Sequence, residues 1–335
     1  MKGTRVSQKQ NMVPEKTGVF HSIWSRIGGW LNASDPEKEL IDYAVTTIEP
    51  KLKQVKNYRK RLGEPIRICR EHCRKIVAEI PGPITIRSAE NCDDPFIRAA
   101  FTGPERIEDL LSRAGGTTSH TTLSGTKRVA LLTMTSKEKT IFGRKRLGGM
   151  MVGDAAMRSV SFTDHNIVGL ATTLASSREA LEQYTLELIV EAAARELSEI
   201  RTKLVDLRQR QEWLRTMNKM FGTGTRVDMG CVFVPFDPEK QKKQKEIEKL
   251  MADTEDEIAS AKSTSEAPED WLRIVENFLS KPEDILNMRL VSLRLNWSNV
   301  LTDDPEEKAD TVTFATFTLA DEMQREGVLV AYEQI

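Results

Sequence analysis

The feature that most constrains this chain is an apolar repeat on a long stretch that contains neither glycine nor proline. The stretch runs from Leu170 to Phe221, between Gly169 and Gly222. Its seam positions alternate between spacings of four and three residues, which is the heptad repeat of a left-handed coiled coil. The seam consists of Leu186, Val190, Ala193, Leu197, Ile200, Leu204, Leu207, Gln211 and Leu214. The repeat predicts one long helix, with Ser176 and Glu179 forming a capping box at its start.

A second stretch without glycine or proline, Glu239 to Ala267, predicts a helix that returns along the first. It starts at Asp237-Pro238, and its apolar seam is thinner than that of the long helix. Three arrangements fit these helices: a projecting antiparallel hairpin, two helices packed on the body, and a coiled coil between two copies. We expect the projecting hairpin, a coiled-coil arm that spans residues 176–266.

Strand signals lie on both sides of the predicted arm. Before it, Arg128–Thr135 and Thr140–Phe142 predict a hairpin that turns at Lys137-Glu-Lys139, and Ser159–Phe162 predicts a further strand. After it, three stretches of strand-forming residues predict an antiparallel meander; they are Val291–Trp297, Val312–Leu319 and Val328–Tyr332. We therefore expect an α+β fold in which both strand-rich parts join one mainly antiparallel sheet, with the helical hairpin inserted between them.

The remaining glycines and prolines, which interrupt regular structure, divide the chain into four regions. The predicted regions are a disordered basic tail at 1–18, an N-terminal helical region at 19–82, an α+β body at 83–175 and 267–335, and the arm at 176–266. In the helical region, Asp35-Pro36 resembles a helix start, because it combines a capping carboxylate with proline at the first helical position. We expect a break at Pro50, a helix end at Gly63 and a new helix from Pro65.

A short amphipathic segment follows the basic tail. Its apolar residues recur at helical spacing: Phe20, Ile23, Trp24, Ile27, Trp30 and Leu31. Such a stripe fits a groove on a partner, the interface of an anionic membrane, or the protein's own body. Gly28-Gly29 disfavours a stable free helix here. These six residues are the candidates for partner or membrane binding.

The cysteines raise the question of a metal site. Cys69 and Cys73 lie one helical turn apart, with His72 between them and Cys92 downstream, and structural zinc requires four ligands. However, Cys69 and Cys73 continue an apolar helical stripe from which His72 is rotated away. We interpret the pair as small buried hydrophobic residues and predict no metal site.

No catalytic constellation emerges from the sequence. Asp164-His165 resembles an acid–base pair, but adjacent side chains do not normally face each other, so we interpret the pair as a turn at a strand end. No nucleotide-binding glycine loop, metalloprotease motif or nucleophile elbow is present. Residues 45–75 carry ten basic side chains against three acidic ones. No aromatic stacking platform accompanies them, and we interpret them as a solvated helical face rather than a nucleic-acid site.

Composition excludes several classes of protein. The chain has 335 residues, a net charge of −1 and 39% hydrophobic residues, values typical of a globular protein. Its longest apolar run is five residues, Val328 to Tyr332, whereas a membrane-spanning helix needs about 20. Four cysteines in such a length form no disulfide framework, so we expect a reducing, cytoplasmic environment.

Two segments, Asp94–Phe101 and Ser159–His165, resemble stretches of uncharacterised bacterial proteins. The resemblance implies a bacterial, cytoplasmic protein and transfers no activity and no functional residue. From the residues themselves we expect a non-enzymatic interaction or scaffold protein, without a cofactor, that binds a protein partner or a second copy of itself. The alternatives are an enzyme of unknown chemistry, which a deep pocket with convergent polar groups would favour, and a peripheral membrane or nucleic-acid adaptor.

Overall fold

A computed structural model of the chain describes residues 35–86, 94–101, 103–115, 127–147, 150–222, 238–262, 267–304, 307–320 and 323–333. The α-helices are α1 (Pro36–Ile48), α2 (Tyr58–Glu79), α3 (Pro95–Ala100), α4 (Pro104–Gly115), α5 (Leu174–Gly222), α6 (Pro238–Lys262), α7 (Pro268–Leu279) and α8 (Pro282–Ile285). The strands are β1 (Ile84–Ile86), β2 (Lys127–Leu147), β3 (Met150–Ala171), β4 (Leu286–Asn296), β5 (Ala309–Leu319) and β6 (Met323–Glu333). The predicted α+β class is confirmed.

Helix α1 begins and ends where the local sequence predicts. The carboxylate of Asp35 accepts a hydrogen bond from the backbone N–H of Lys38 at 3.3 Å, and Pro36 is the first helical residue, a position at which proline costs no hydrogen bond. The helix ends at Ile48, and a short 3₁₀ helix, Pro50–Gln54, follows it. The predicted break at Pro50 is therefore present.

Helix α2 differs from the sequence prediction. It is one helix of 22 residues that runs through both Gly63 and Pro65, where we expected one helix to end and another to begin. Leu62, Ile66 and Cys69 form part of an uninterrupted buried stripe on this helix. Burying this stripe outweighs the propensity costs of about 1 kcal/mol for glycine and about 3 kcal/mol for proline.

Among the described residues, six strands form one sheet, as predicted from the two strand-rich parts of the chain. The hydrogen-bonded order is β3-β2-β6-β5-β4, with antiparallel neighbours. The short strand β1 pairs with β6 in parallel, Ile84 opposite Val330. Residues 299–302 connect the two edge strands, because Leu301 donates a backbone hydrogen bond to Arg158 of β3 and Thr302 donates one to Arg294 of β4. The sheet is thus strongly curved, with its edges linked.

The predicted hairpin turn at Lys137-Glu-Lys139 is wrong. These residues continue β2, which pairs with β3 from Val129 opposite Ala171 to Leu147 opposite Met150. The Lys-Glu-Lys segment contains no residue suited to the left-handed conformations that tight hairpin turns require, so β2 continues through it. The distal end, Ile141–Leu147 paired with Met150–Met157, pairs with no third strand among the described residues. We call this part the β-ribbon.

Within the described ranges, three buried clusters hold these elements together. The helical core joins α1, α2, the first half of α5, α7 and α8. The sheet core lies between the sheet and helices α3 and α4. A smaller cluster contains Leu131 of β2, Leu329 of β6 and Leu181 of α5, and it fastens the helices to the other face of the sheet. The chain therefore has helices on both faces of the sheet.

The long helix starts earlier than its predicted capping box. Helix α5 begins at Leu174, and the hydroxyl of Thr173 accepts a hydrogen bond from the backbone N–H of Ser176 at 3.1 Å. The hydroxyl of Ser177 is buried and donates to the backbone oxygen of Gly169 at 2.8 Å. The Ser177 hydrogen bond joins α5 directly to the end of β3. Because the helix begins at Leu174, Ser176 lies inside it rather than at its start.

Candidate functional site

The structure divides the nine seam residues of α5 between two environments. Leu186, Val190, Ala193 and Leu197 are buried in the helical core. Leu204, Leu207 and Leu214 are buried further along the helix, on the half beside α6, whereas Ile200 between the two groups is half-buried. The first half of α5 consequently packs with α1, α2 and α7 in the helical core, and the domain boundary at residue 176 stays a prediction.

Helix α6 runs back along the second half of α5. The side-chain amide of Gln211 donates to the carboxylate of Glu255 at 3.1 Å, and Arg215 lies 3.5 Å from the same carboxylate. The Arg201 guanidinium, earlier on α5, stacks 4.0 Å above the ring of Trp271 in α7, the helix that follows α6. Because later residues lie beside earlier positions of α5, the two helices are antiparallel. We call the second half of α5 together with α6 the α5–α6 arm.

The outer face of the arm carries exposed apolar side chains. Val205, Trp213 and Met220 are exposed, Trp213 by 60%. At 100° per residue these three lie within about 80° of one another around α5, on the side opposite the buried Leu207 and Leu214. The β-ribbon also exposes Ile141, Phe142 and Val152. The α5–α6 arm and the β-ribbon therefore both expose apolar side chains to solvent.

The predicted amphipathic segment lies outside the described residues. This applies to the basic tail and to all six of its candidate binding residues: Phe20, Ile23, Trp24, Ile27, Trp30 and Leu31. Their role in partner or membrane binding stays a prediction.

The cysteine pair lies in the helical core. Cys69 and Cys73 are buried, and the thiol of Cys69 donates to the backbone oxygen of Leu279 at 3.0 Å. Burial raises the pKa of Cys69 to about 12 and that of Cys73 to about 11, so both thiols are protonated at neutral pH. His72 contacts the backbone oxygen of Leu286 at 2.7 Å. Within the described ranges, no group of three potential ligands surrounds a common point.

Asp164 and His165 lie within a strand, not at a strand end as predicted. Between Thr133 and Thr135 the pairing of β2 with β3 shifts by one residue, and Asp164 has a φ of +54°, so the pair forms a β-bulge. The imidazole of His165 contacts the backbone oxygen of Ala100 at 2.9 Å and stacks on Phe101. Burial lowers the pKa of His165. The imidazole therefore anchors α3 to the sheet.

A cleft between α1, α2 and the beginning of α5 is a site that the sequence analysis missed. Its volume is about 330 Å³, at the small end of the range of ligand pockets. Its apolar walls include Leu40, Tyr43, Leu186 and Val190. Its charged lining residues are Arg70, Arg74, Arg178, Glu179, Glu182 and Glu187. The cleft thus combines an apolar interior with ionisable groups.

Two buried polar atoms in this cleft have no hydrogen-bond partner among the described residues. They are Nε of Arg178 and Oε1 of Glu187. Burial, and secondarily the charge of Glu191, raises the pKa of Glu187 to about 7. Burial and the charge of Glu187 also raise the pKa of Tyr43. Unpaired buried groups and shifted pKa values are typical of functional sites.

The residues that line this cleft form no distinctive pattern in the sequence. Its polar residues on α5, including Arg178, Glu182 and Glu187, share the helix with the first seam residues. Charged residues beside a seam are ordinary in coiled coils, so nothing local distinguishes a cleft wall from a solvated flank. The distinction depends on where α1 and α2 pack.

No family model, curated protein or solved structure that was compared with this chain matches it. The resemblance to uncharacterised bacterial proteins therefore stays a prediction. Across the described residues, none of the helices combines the length and the apolar character that crossing a membrane requires.

Proposed function

We propose that this chain is a non-enzymatic interaction protein that binds a helix of another protein through the outer face of the α5–α6 arm. The observation that supports this proposal is the exposed stripe of Val205, Trp213 and Met220. The stripe extends over 15 residue steps, about 22 Å at the rise of an α-helix. Its helical spacing matches the way an amphipathic helix docks its apolar face on a partner.

Trp213 is the expected centre of the contact. Tryptophan is enriched among the residues that contribute most to binding, because a large apolar surface leaves water when it docks. The arm holds Trp213 in place, since α6 supports the opposite side of α5 through Thr254 and Ile258, both buried. The β-ribbon, with Phe142 exposed, offers a second contact surface.

Trp213→Glu is expected to abolish partner binding, because a charge would replace the apolar centre of the stripe. Trp297→Glu is the matched control, since Trp297 is exposed by 82% and lies on the sheet side, just beyond β4. Proteins retained by tagged wild-type chain and by each variant would be quantified by mass spectrometry. The same partners at the same levels on Trp213→Glu would contradict the proposal. Sedimentation velocity of the purified chains would show whether the partner is a second copy.

Two further functions predicted from the sequence are each favoured by a specific feature. The segment Phe20–Leu31 favours a peripheral membrane protein. Liposome flotation of the full chain, lost on removing residues 1–33, would support that function. The cleft favours an enzyme, with Glu187 as the group positioned for proton transfer, because its pKa of about 7 suits a general base.

A further inference from the structure

The cleft between α1, α2 and α5 separates its charged and apolar linings. Arg70, Arg74 and Arg178 line it together with Glu179, Glu182 and Glu187, so positive and negative residues are equal in number. Leu40, Leu186 and Val190 are buried in the apolar walls. A ligand that fills this space therefore needs both a polar group and an apolar body.

The arginines of the cleft differ in whether they have a partner among the described residues. Arg74 lies 3.5 Å from Glu182. In contrast, Nε of Arg178 is buried and donates to no described residue. Arginine binds oxyanions with its parallel N–H groups, and such charge-assisted hydrogen bonds are stronger than neutral ones. Because Nε itself is enclosed, a carboxylate or a phosphate in the cleft would bind the terminal N–H groups of the Arg178 guanidinium, which lines the cleft.

Glu187 occupies a different part of the cleft. It is nine residues after Arg178 on α5, which separates the two by about 14 Å along the helix and by half a turn around it. The groups beside Glu187 include Tyr43 of α1 and Tyr184 and Glu191 of α5. The two acids disfavour an anion here, so the anionic group belongs at the arginines and the apolar body extends away from them.

We propose that this cleft binds a small anionic amphiphile, whose oxyanion is bound by Arg178 and whose apolar chain lies against Leu40, Leu186 and Val190. The inference goes beyond the proposed function, because the cleft and the outer stripe of the arm involve different residues. A carboxylate and a phosphate monoester share the required chemistry.

Isothermal titration of the full chain with decanoate, decyl phosphate and decylamine, each below its aggregation concentration, tests the proposal. Decanoate or decyl phosphate should bind, and the stronger of the two identifies the head group. Decylamine should bind at least about tenfold more weakly, because an ammonium lacks the acceptor that Arg178 requires. Equal affinity for decylamine and both anions, or no binding of either anion, would overturn the proposal.

Arg178→Met is expected to weaken binding of the preferred anion by about tenfold or more, because it removes the guanidinium and retains an apolar side chain. Arg210→Met is the matched control, since Arg210 is exposed on the same helix outside the cleft. An unchanged affinity in Arg178→Met would refute the assignment. If that variant does not fold, the changes that the anion causes in the backbone amide NMR shifts of the wild-type chain test the site instead. Shifts caused by the anion must then concentrate at Arg178, Leu186 and Val190, and shifts elsewhere would refute the site.

Discussion

Leu197→Ala is expected to lower the free energy of unfolding of the whole protein by about 3 kcal/mol, because truncation of a fully buried leucine leaves a cavity. Leu197 is 1% exposed and belongs to the helical core that joins α5 to α1, α2 and α7. Urea denaturation followed by circular dichroism would measure the change. Glu199→Ala, an exposed site two residues away, should change the same quantity by less than about 0.5 kcal/mol.

Leu204→Ala makes the same chemical change seven residues later, at a buried position outside the helical core. Leu204 is 5% exposed, and we expect it to destabilise the arm by more than about 1.5 kcal/mol. Because the arm is a local unit, the loss should appear as faster hydrogen exchange in α6 rather than as global unfolding. If both leucine variants affect exchange in α6 and in the body equally, the division of the seam between two environments is incorrect.

Glu187→Gln is expected to stabilise the protein at pH 8 relative to wild type by about 2 to 3 kcal/mol more than it does at pH 4.5, since one pKa unit corresponds to about 1.4 kcal/mol. The pKa of Glu187 is about 7 in the folded chain, against an ordinary value of 4.5. Between these values the folded state retains a proton that the unfolded state has released. The stability of the wild type therefore falls as pH rises through this window, and glutamine removes that loss.

Denaturation curves of wild type and variant across this pH range would measure the difference. Glu199→Gln is the control, because the same substitution is made on the same helix at an exposed side chain. A stability difference between Glu187→Gln and wild type that does not vary with pH would show that the pKa of Glu187 is the same in the folded and unfolded states.

Several elements could be predicted because their signals are local. The alternation of apolar and polar residues in Val291–Trp297 requires only that neighbouring side chains point to opposite faces of a strand. The observed strand, Leu286–Asn296, pairs with β5 as the meander predicts. Likewise, the prolines at 36 and 50 impose helix boundaries through their own geometry.

Other predictions were wrong where distant contacts outweigh local preference. Gly63 and Pro65 both disfavour a helix interior, yet α2 passes through them because its apolar stripe is buried in the helical core. At Lys137-Glu-Lys139 a charged segment resembled a turn. It is instead part of β2, because it pairs with β3. In both cases the deciding contacts come from residues far away in the chain.

The sequence by itself determined that α5 is one long helix with a continuous apolar seam, because the heptad repeat and the absence of glycine and proline act within the segment. Only the tertiary structure decided what covers each part of that seam. A heptad seam accepts any complementary apolar face, so Leu197 packs in the body and Leu214 is buried beside α6 although both follow the same repeat. The tertiary structure likewise decided that the cleft forms. In the sequence Arg178 and Glu187 resemble solvated charged residues, and their burial depends on where α1 and α2 pack against α5.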